Sequence, residues 1–419
     1  MKLAKVVLVA AAVLAAIVPS AMAAGAQTVT RYGAERACTT GRVRCNALIL
    51  TRNGVRLEAA SPAVLPSGYG PAQYHGAYNL PTNAPSGKVT IAIVDAFDDA
   101  TIAKDLKKYS KTFKIPNLPK CTSTVTTSCF KKMNLGAPPG SAVAPGWDVE
   151  IALDVETAHA ICQNCRIVLV EAADDSFPSL EAAENTAAKQ AGIISNSWGA
   201  YGYDGTSPPD DPAFNHPNEA VVFSSGDDGY GVEYPAVLNT VISVGGTSLN
   251  VGPGDTYVSE KTWGPIPGHK WGTGSGCANG AVSGASPVTA RSFQLGVAGY
   301  AATGCGTSRG DNDVSANADP ETGSAVYASS TGWIQVGGTS LAAPLISAVI
   351  ALQDDFATAT YPASIIYAHA GTSSFRDVTT GSDDAGNWPI ACSHTSACNA
   401  VSGYDLPTGV GTPNGTSGF

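Results

Sequence analysis

Short apolar runs alternate with amphipathic stretches through the central part of the chain. Apolar runs that predict buried strands occupy residues 88–96, 166–172, 193–198, 220–226 and 240–246. Helical spacing of apolar residues predicts helices over residues 99–113, 147–162, 179–192 and 341–357. Strands that alternate with helices are typical of a parallel sheet covered by helices on both faces. We therefore predict an α/β fold.

The remaining regions carry no such alternation. Residues 24–68 are short, polar and irregular in pattern, and residues 132–146 form a loop rich in Pro and Gly. Residues 252–335 are rich in Gly, Ser and Trp, which predicts loops and hairpins over the sheet. Residues 371–419 are rich in Gly and Asp and predict an appended loop system. We predict one main domain over residues 69–419, after a short N-terminal segment over residues 24–68.

The first residues have the pattern of a targeting segment. Lys2 and Lys5 precede an apolar run over residues 6–18, and a small-x-small sequence ends at Ala23. This pattern predicts a secretory signal peptide over residues 1–23, and the alternative is an N-terminal membrane anchor. No later run of about 18 apolar residues follows, so we expect the mature protein to be soluble.

The composition narrows the possible partners. Hydrophobic residues make up 44% of the 419 residues, which is enough for a large core. The formal net charge of −10 argues against nucleic acid or an anionic membrane as the main partner. Only 14% of the residues are charged, which suits a protein that works in acid.

Ten cysteines fall into close pairs along the chain, which in an exported protein indicates disulfides. We predict the local pairing, although the sequence alone leaves the connectivity open: Cys38–Cys45, Cys121–Cys129, Cys162–Cys165, Cys277–Cys305 and Cys392–Cys398. Zinc is the alternative for the Cys-x-x-Cys sequence at residues 162–165. No second nearby pair completes the four ligands that zinc requires.

A candidate nucleophile lies in GGTSLAAPLISAVIAL, at the start of the last long predicted helix. Gly337 and Gly338 allow tight turns and close approach of a substrate to Ser340. A helix N-terminus also directs free N–H groups towards negative charge that develops there. Pro344 is expected in the first turn, where its missing N–H costs little. The alternative is that Ser340 only caps the helix.

An activated serine needs a base, and two candidates lie on the helix predicted over residues 147–162. His159, oriented by Asp95, would give a triad of the subtilisin type with Ser340. Glu150 and Asp154 are four residues apart and therefore share one face of the helix. Such a pair is often only a solvated face. If it is shielded from water, its ionisations couple and one carboxylate can serve as the base.

Three motifs in order resemble the sedolisins, the serine-carboxyl peptidases of family S53. Their Glu-x-x-x-Asp element is similar to Glu150 and Asp154 in WDVEIALD, and their Gly-Thr-Ser element to GGTS with Ser340. Their Ser-x-Gly-Asp-x-Gly element is similar to SSGDDG, which contains Asp227. The SNSWG stretch, residues 195–199, resembles the strand that lines their substrate cleft. The likeness extends from about residue 68 to residue 415.

The resemblance implies a subtilisin-like fold and hydrolysis of protein or peptide substrates in acid. It implies that Ser340 attacks the peptide carbonyl and that Glu150 takes the proton of Ser340, while Asp154 holds Glu150. Asp227 would stabilise the oxyanion, for which it must be protonated. The neighbouring Asp228 leaves an ambiguity, and the spacing to Gly229 favours Asp227.

The C-terminal loops, residues 371–415, resemble the calcium site of the family. The resemblance implies one structural Ca²⁺ held by the carboxylates of Asp377 and Asp405 and by three main-chain carbonyls, those of Val378, Val401 and Gly403. The N-terminal segment departs from the family, because about 45 residues are too few for its usual folded prodomain.

We therefore expect a secreted, monomeric acid peptidase that binds neither nucleic acid nor, after signal cleavage, a membrane. The alternatives are a non-catalytic homologue that binds peptides or surface material and a peptidase with the histidine triad.

Overall fold

The computed structural model describes residues 32–57, 66–201, 210–265, 270–279, 287–354, 359–384, 392 and 395–419. The predicted signal peptide and residues 24–31 lie outside the described residues. The strands are β1 Tyr32–Arg36, β2 Arg44–Cys45, β3 Leu48–Arg52, β4 Val55–Arg56, β5 Thr90–Ala96, β6 Phe130–Asn134, β7 Arg166–Ala172, β8 Ile193–Asn196, β9 Trp198–Tyr201, β10 Ala220–Ser224, β11 Asp228–Tyr230, β12 Glu233–Tyr234, β13 Ile242–Gly252, β14 Thr256–Thr262, β15 Gly272–Cys277, β16 Gly310–Asp311, β17 Val314–Asn317, β18 Ser324–Ala328, β19 Gly332–Gly337, β20 Phe375–Arg376 and β21 Thr412–Pro413. The helices are α1 Pro71–Tyr78, α2 Ile102–Phe113, α3 Trp147–Ile161, α4 Phe177–Ala187, α5 Ser292–Leu295, α6 Thr339–Gln353, α7 Ala363–Ala368 and α8 Thr395–Cys398, with 3₁₀ turns at Pro212–Phe214, Tyr300–Thr303 and Pro320–Thr322.

A parallel sheet forms the centre of the fold, as the alternating pattern predicts. Its strand order is β14-β13-β10-β8-β5-β7-β6, and β17 also pairs with β13. All of these neighbours are parallel except β13 and β14. Asp95 lies near the carboxyl end of β5, Ser197 follows β8 and Asp227 follows β10, so the candidate chemistry gathers at one edge of the sheet.

Helices α3 and α6 pack against each other and against the sheet. Every residue of α3 is buried, including its acidic residues. The acidic pair at residues 150 and 154 is therefore not a solvated face. Apolar residues on most sides of α3 explain why the helix can be enclosed in this way.

Several element boundaries differ from the sequence-based prediction, and three of them follow from the hydrogen bonding. The predicted loop 132–146 begins inside β6, which pairs with β7 as an edge strand. Helix α4 ends at Ala187 instead of Gly192, because the next turns tighten into i to i+3 hydrogen bonds such as Gln190 N–H to Ala187 O. Strand β13 extends to Gly252 because its second half pairs with β14 in a hairpin.

The expectation that residues 24–68 are irregular is wrong for the residues described. Strand β3 pairs with β1, β4 and β19, and β2 pairs with β9. The apolar residues Leu48–Leu50 are buried in this pairing. Contacts group Tyr32–Phe419 into a single compact unit, so this segment is built into the main fold.

The predicted disulfide pairing is confirmed at all five positions. Cys162 and Cys165 are joined to each other, which removes them as a zinc pair. Within the described part of the chain, we find no helix with the length and apolar character needed to cross a membrane.

Candidate active site

Ser340 lies in the first turn of α6, buried at the edge of the sheet. The preceding Gly338 has a φ of 94°, a conformation that L side chains rarely adopt. Pro344 lies in the second turn, not in the first as expected. Because Pro344 has no N–H, it cannot donate to the carbonyl of Ser340. That carbonyl instead accepts the hydroxyl of Ser197 at 3.4 Å.

Ser197 connects the candidate nucleophile to α3. The Ser340 hydroxyl donates to the main-chain carbonyl of Ser197 at 3.0 Å. The Ser197 hydroxyl lies 2.9 Å from Asp154 Oδ1 and donates to it as well. The SNSWG stretch that resembles the cleft strand of the sedolisins thus contacts both residues.

Three carboxyl groups meet beside Ser340. One oxygen each from Asp95, Glu150 and Asp154 lie within 4.8 Å of one another, and all three residues are fully buried. Burial raises the pKa of each carboxyl well above its usual range, and repulsion between the neighbouring carboxylates adds to this effect. Because three like charges cannot be held so closely, the cluster retains protons that isolated carboxyls would release.

Glu150 is the member of this cluster whose carboxyl interacts with the Ser340 side chain. The Ser340 hydroxyl is close enough to lower the pKa of Glu150, although it points towards the Ser197 carbonyl. The sulfur atoms of the Cys38–Cys45 disulfide lie within 4.8 Å of a Glu150 oxygen. The N-terminal segment therefore covers Glu150.

Asp227 approaches the start of α6 from the loop after β10. Its Oδ1 accepts hydrogen bonds from the Thr339 N–H at 2.8 Å and the Thr339 hydroxyl at 2.9 Å. Burial raises the pKa of Asp227 to about 7, opposed in part by Arg36. Asp228 instead pairs with Arg36 at 2.6 Å and is 30% exposed. The structure thus places Asp227, and not Asp228, beside the serine.

His159 does not join this group. Its Nε2 lies 2.7 Å from the carbonyl of Pro116, on the far part of α3. Burial lowers its pKa to about 4. Asp95, the residue that the triad alternative requires beside His159, lies instead with Glu150 and Asp154. The geometry does not assemble the histidine triad.

Four of the residues that the family resemblance implies for calcium interact with one another in the C-terminal loops, and the fifth, Val378, directly follows Asp377. The Asp377 carboxylate accepts the Gly403 N–H at 2.9 Å, and the Asp405 carboxylate accepts the Val401 N–H at 2.8 Å. Burial raises the pKa of Asp405 to about 7, and the negative charge of Asp377 adds to this shift. No hydrogen bond from the described residues reaches the carbonyls of Val378, Val401 or Gly403. Two carboxylates and three such carbonyls form an oxygen set that fits a hard cation.

Comparison with known proteins places this geometry in a family. The sequence pattern described as "Subtilase family" matches residues 154–373, which is more than half of the chain. The chain belongs to the subtilase family. The predicted resemblance to the sedolisins is confirmed by its relatives. Kumamolisin from Bacillus sp. (strain MN-32) is 27% identical over 382 residues, which are 85% of this chain and 64% of kumamolisin.

Sedolisin from Pseudomonas sp. (strain 101) is 25% identical over 392 residues, 86% of this chain and 62% of sedolisin. The chain thus spans less than two thirds of the length of either relative. The solved structure of Pseudomonas sedolisin, a serine-carboxyl proteinase complexed with two molecules of pseudo-iodotyrostatin, has a TM-score of 0.65 at 21% identity. The likeness covers 83% of this chain and 96% of that one, and it confirms the subtilisin-like α/β fold.

Several residues of the site had no sequence signal of their own. Ser197 enters the prediction only as part of SNSWG, although its carbonyl accepts the Ser340 hydroxyl and its own hydroxyl donates to Asp154. Thr339 was noticed only as part of GGTS, although it fixes Asp227. Asn46 escaped prediction altogether, and its carbonyl accepts the Ser340 N–H at 3.0 Å.

Proposed function

We propose that the protein is a serine-carboxyl peptidase that hydrolyses peptide bonds of proteins in acid. Ser340 is the nucleophile, Glu150 the base, Asp154 the residue that holds Glu150, and Asp227 the oxyanion donor. One observation carries the proposal: the buried carboxyl cluster lies against the hydroxyl of a serine at a helix N-terminus, and no imidazole of the described residues joins it.

The carboxyl cluster supports proton transfer from Ser340. In its ionised form, Glu150 accepts the hydroxyl proton as Oγ attacks the peptide carbonyl carbon, and it then gives that proton to the leaving amine. The Ser197 hydroxyl fixes Asp154 Oδ1, which leaves the other oxygen of Asp154 to interact with Glu150. For Glu150 to act as the base, the proton that the pair shares has to lie on Asp154, which then donates a hydrogen bond to the charged Glu150.

The start of α6 supports stabilisation of the oxyanion. The Ser340 N–H points out of the first turn, and Asp227 Oδ2 has no hydrogen-bond partner among the described residues. With a pKa of about 7, the Asp227 carboxyl is protonated in acid and can donate a hydrogen bond through this oxygen. Above that pH it would be a carboxylate that repels the oxyanion.

The same proposal covers the setting in which the enzyme works. Five disulfides suit an oxidising compartment, in agreement with a signal peptide over residues 1–23 and secretion. The substrates are proteins or peptides, and the enzyme acts as a monomer. The predicted peptidase domain over residues 69–419 carries all of the catalytic groups.

Casein digestion between pH 3 and pH 8 tests the proposed function. We expect hydrolysis in acid, and we expect Ser340→Ala to lower kcat by about 10⁶-fold because the nucleophile is lost. Ser347→Ala is the matched control, since Ser347 is an equally buried serine of α6 outside the site. If folded wild-type protein hydrolyses nothing at any pH, the chain is a non-catalytic homologue.

We also propose that the C-terminal loops bind one structural Ca²⁺. Asp377 and Asp405 would supply carboxylate oxygens, and Val378, Val401 and Gly403 would supply carbonyls. Gly403 has a φ of 86°, so the chain can turn sharply between the Val401 carbonyl and the Asp405 carboxylate. The ion would hold the segment that follows β20 against residues 401–405, which precede β21. It would take no part in the chemistry.

Chelation at pH 7 tests this site. An ion present at 100 times its Kd stabilises the folded state by about 3 kcal/mol, so we expect EGTA to lower Tm by several degrees. Asp405→Asn should have a low Tm with or without EGTA, whereas Asp210→Asn, the same change at an exposed position outside these loops, should behave like wild type. An unchanged Tm, together with no calcium in elemental analysis, would remove the site.

A further inference from the structure

The N-terminal segment passes through the place where a substrate peptide would bind. We call residues 44–49 the cleft segment. Its β2 residues pair antiparallel with β9, with Arg44 opposite Gly199, and the Asn46 N–H donates to the Ser197 carbonyl at 3.0 Å. Its next residues pair antiparallel with β19, with Leu48 opposite Gly337. The cleft segment is thus held as an added strand on both sides of Ser340.

One carbonyl of the cleft segment occupies the position of a reacting carbonyl. The Asn46 oxygen accepts the Ser340 N–H at 3.0 Å. A Cβ at Gly338 would lie 2.0 Å from this oxygen and 2.6 Å from Asp227 Oδ2, so both atoms face the same small space beside Gly338. The Asn46 carbonyl therefore lies against the two groups that we assign to the oxyanion. The bond after it is Asn46–Ala47.

The Asn46 side chain fills a buried pocket whose polar groups pair with its amide nitrogen, whereas its Oδ1 has no hydrogen-bond partner among the described residues. Its Nδ2 donates to Ser224 Oγ at 3.0 Å and to Glu233 Oε2 at 2.8 Å, and all three residues are buried. Two glycines make room for this arrangement: a Cβ at Gly199 would lie 2.5 Å from Glu233 Oε2, and one at Gly226 would lie 2.7 Å from Glu233 Cδ. A pocket with such polar partners discriminates against an apolar side chain, which leaves them unpaired.

We propose that the cleft segment is the first substrate of this chain: Ser340 cleaves its own Asn46–Ala47 bond, and the pocket of Ser224 and Glu233 selects asparagine before the bond that is cut. The inference rests on the proposed peptidase function. Ser340 Oγ attacks the Asn46 carbonyl carbon, and the bond to the Ala47 nitrogen breaks as Glu150 returns the proton to that nitrogen. Water then hydrolyses the ester, which leaves a carboxyl group at Asn46 and a free amine at Ala47.

The position of the bond predicts what remains after cleavage. Cys38 and Cys45 both precede it, so their disulfide stays within the N-terminal fragment and does not tie that fragment to the rest. The fragment keeps non-covalent contacts, because β1 pairs with β3 and Arg36 pairs with Asp228. Because these remaining contacts are not covalent, the fragment can dissociate, and its departure would uncover Glu150.

The test uses the full chain, purified and incubated at pH 4, with samples denatured before mass spectrometry and N-terminal sequencing. We expect a product that begins at Ala47 (sequence ALILTR), formed at a rate independent of dilution and absent in Ser340→Ala. Asn46→Leu should slow its formation by about 100-fold or more, because Leu fills the pocket without pairing its polar groups. Asn250→Leu, the same change at an exposed position, should leave the rate unchanged.

A second measurement is independent of the folding of these variants. The processed enzyme is given a synthetic hexapeptide with the sequence of residues 44–49, with serine in place of cysteine, and its counterpart with leucine in place of asparagine. We expect kcat/KM to be about 100-fold higher for the asparagine peptide.

Casein is digested in parallel. Casein hydrolysis without cleavage at Asn46–Ala47, cleavage only at other bonds, or equal rates for the two peptides would overturn the inference and leave the peptidase function standing. If neither casein nor the chain is cut, the proposed function itself fails.

Discussion

The protein is expected to be most stable in acid and to lose stability as the pH rises from about 4 to 8. Burial raises the pKa of several carboxyls, to about 8 for Glu184 and Glu233 and to about 7 for Asp227 and Asp311. In the unfolded chain these groups release their protons near pH 4. Their contribution to stability is therefore complete below the unfolded pKa and is lost as the pH rises through the folded pKa.

Glu184→Gln tests this dependence at one position. Glu184 is fully buried in α4, and its pKa rises from 4.5 to about 8, which corresponds to several kcal/mol at about 1.4 kcal/mol per unit. Glutamine has the same shape and no charge. We expect the variant to have the Tm of wild type at pH 4 and a Tm higher by about 5 °C or more at pH 8, as measured by calorimetry.

Glu181→Gln is the matched control, because Glu181 lies on the same helix and is only partly buried. We expect it to change the slope of Tm against pH much less than Glu184→Gln does. A wild-type Tm that rises between pH 4 and pH 8 in the presence of EGTA would show that these carboxyls are ionised in the folded state, contrary to the account.

Local patterns of sequence predicted the central sheet and the position of the main catalytic candidates. The spacing of Glu150 and Asp154 places both on one helix face, and the residues around them explain the burial of that face once α6 packs against it. The sequence could not decide between a solvated acidic face and a buried pair, because burial depends on α6, which lies almost 200 residues later. The same limit left Asp95 assigned to the histidine alternative.

The N-terminal segment shows a different limit. Asn46 meets Ser340 and Glu233 across long sequence separations, and neither contact leaves a periodic pattern in residues 44–49. The short strands β2 and β3 take their structure from β9 and β19, not from their own propensity. This polar N-terminal segment therefore has no regular pattern of its own and forms strands only against its partners.

Glu150→Gln is expected to lower kcat by about 10⁴-fold or more, because the amide cannot accept the Ser340 proton. Glutamine preserves the volume of the side chain in the buried cluster, so the fold should persist. Glu156→Gln is the matched control on the same helix: Glu156 is equally buried, and burial also raises its pKa well above the usual range. Its Oε2 accepts the Tyr327 N–H, away from Ser340, and we expect its replacement to leave kcat close to wild type.

The most direct test of a carboxyl base compares kcat at pH 4 for Glu150→Gln and His159→Gln, measured on the same peptide with the two full-length enzymes after the same incubation at pH 4. Glutamine can still donate a hydrogen bond towards Pro116, so the second variant keeps the contact that His159 makes in the structure. The account predicts that Glu150→Gln is nearly inactive and that His159→Gln retains the activity of wild type. Activity lost in His159→Gln and retained in Glu150→Gln would contradict it.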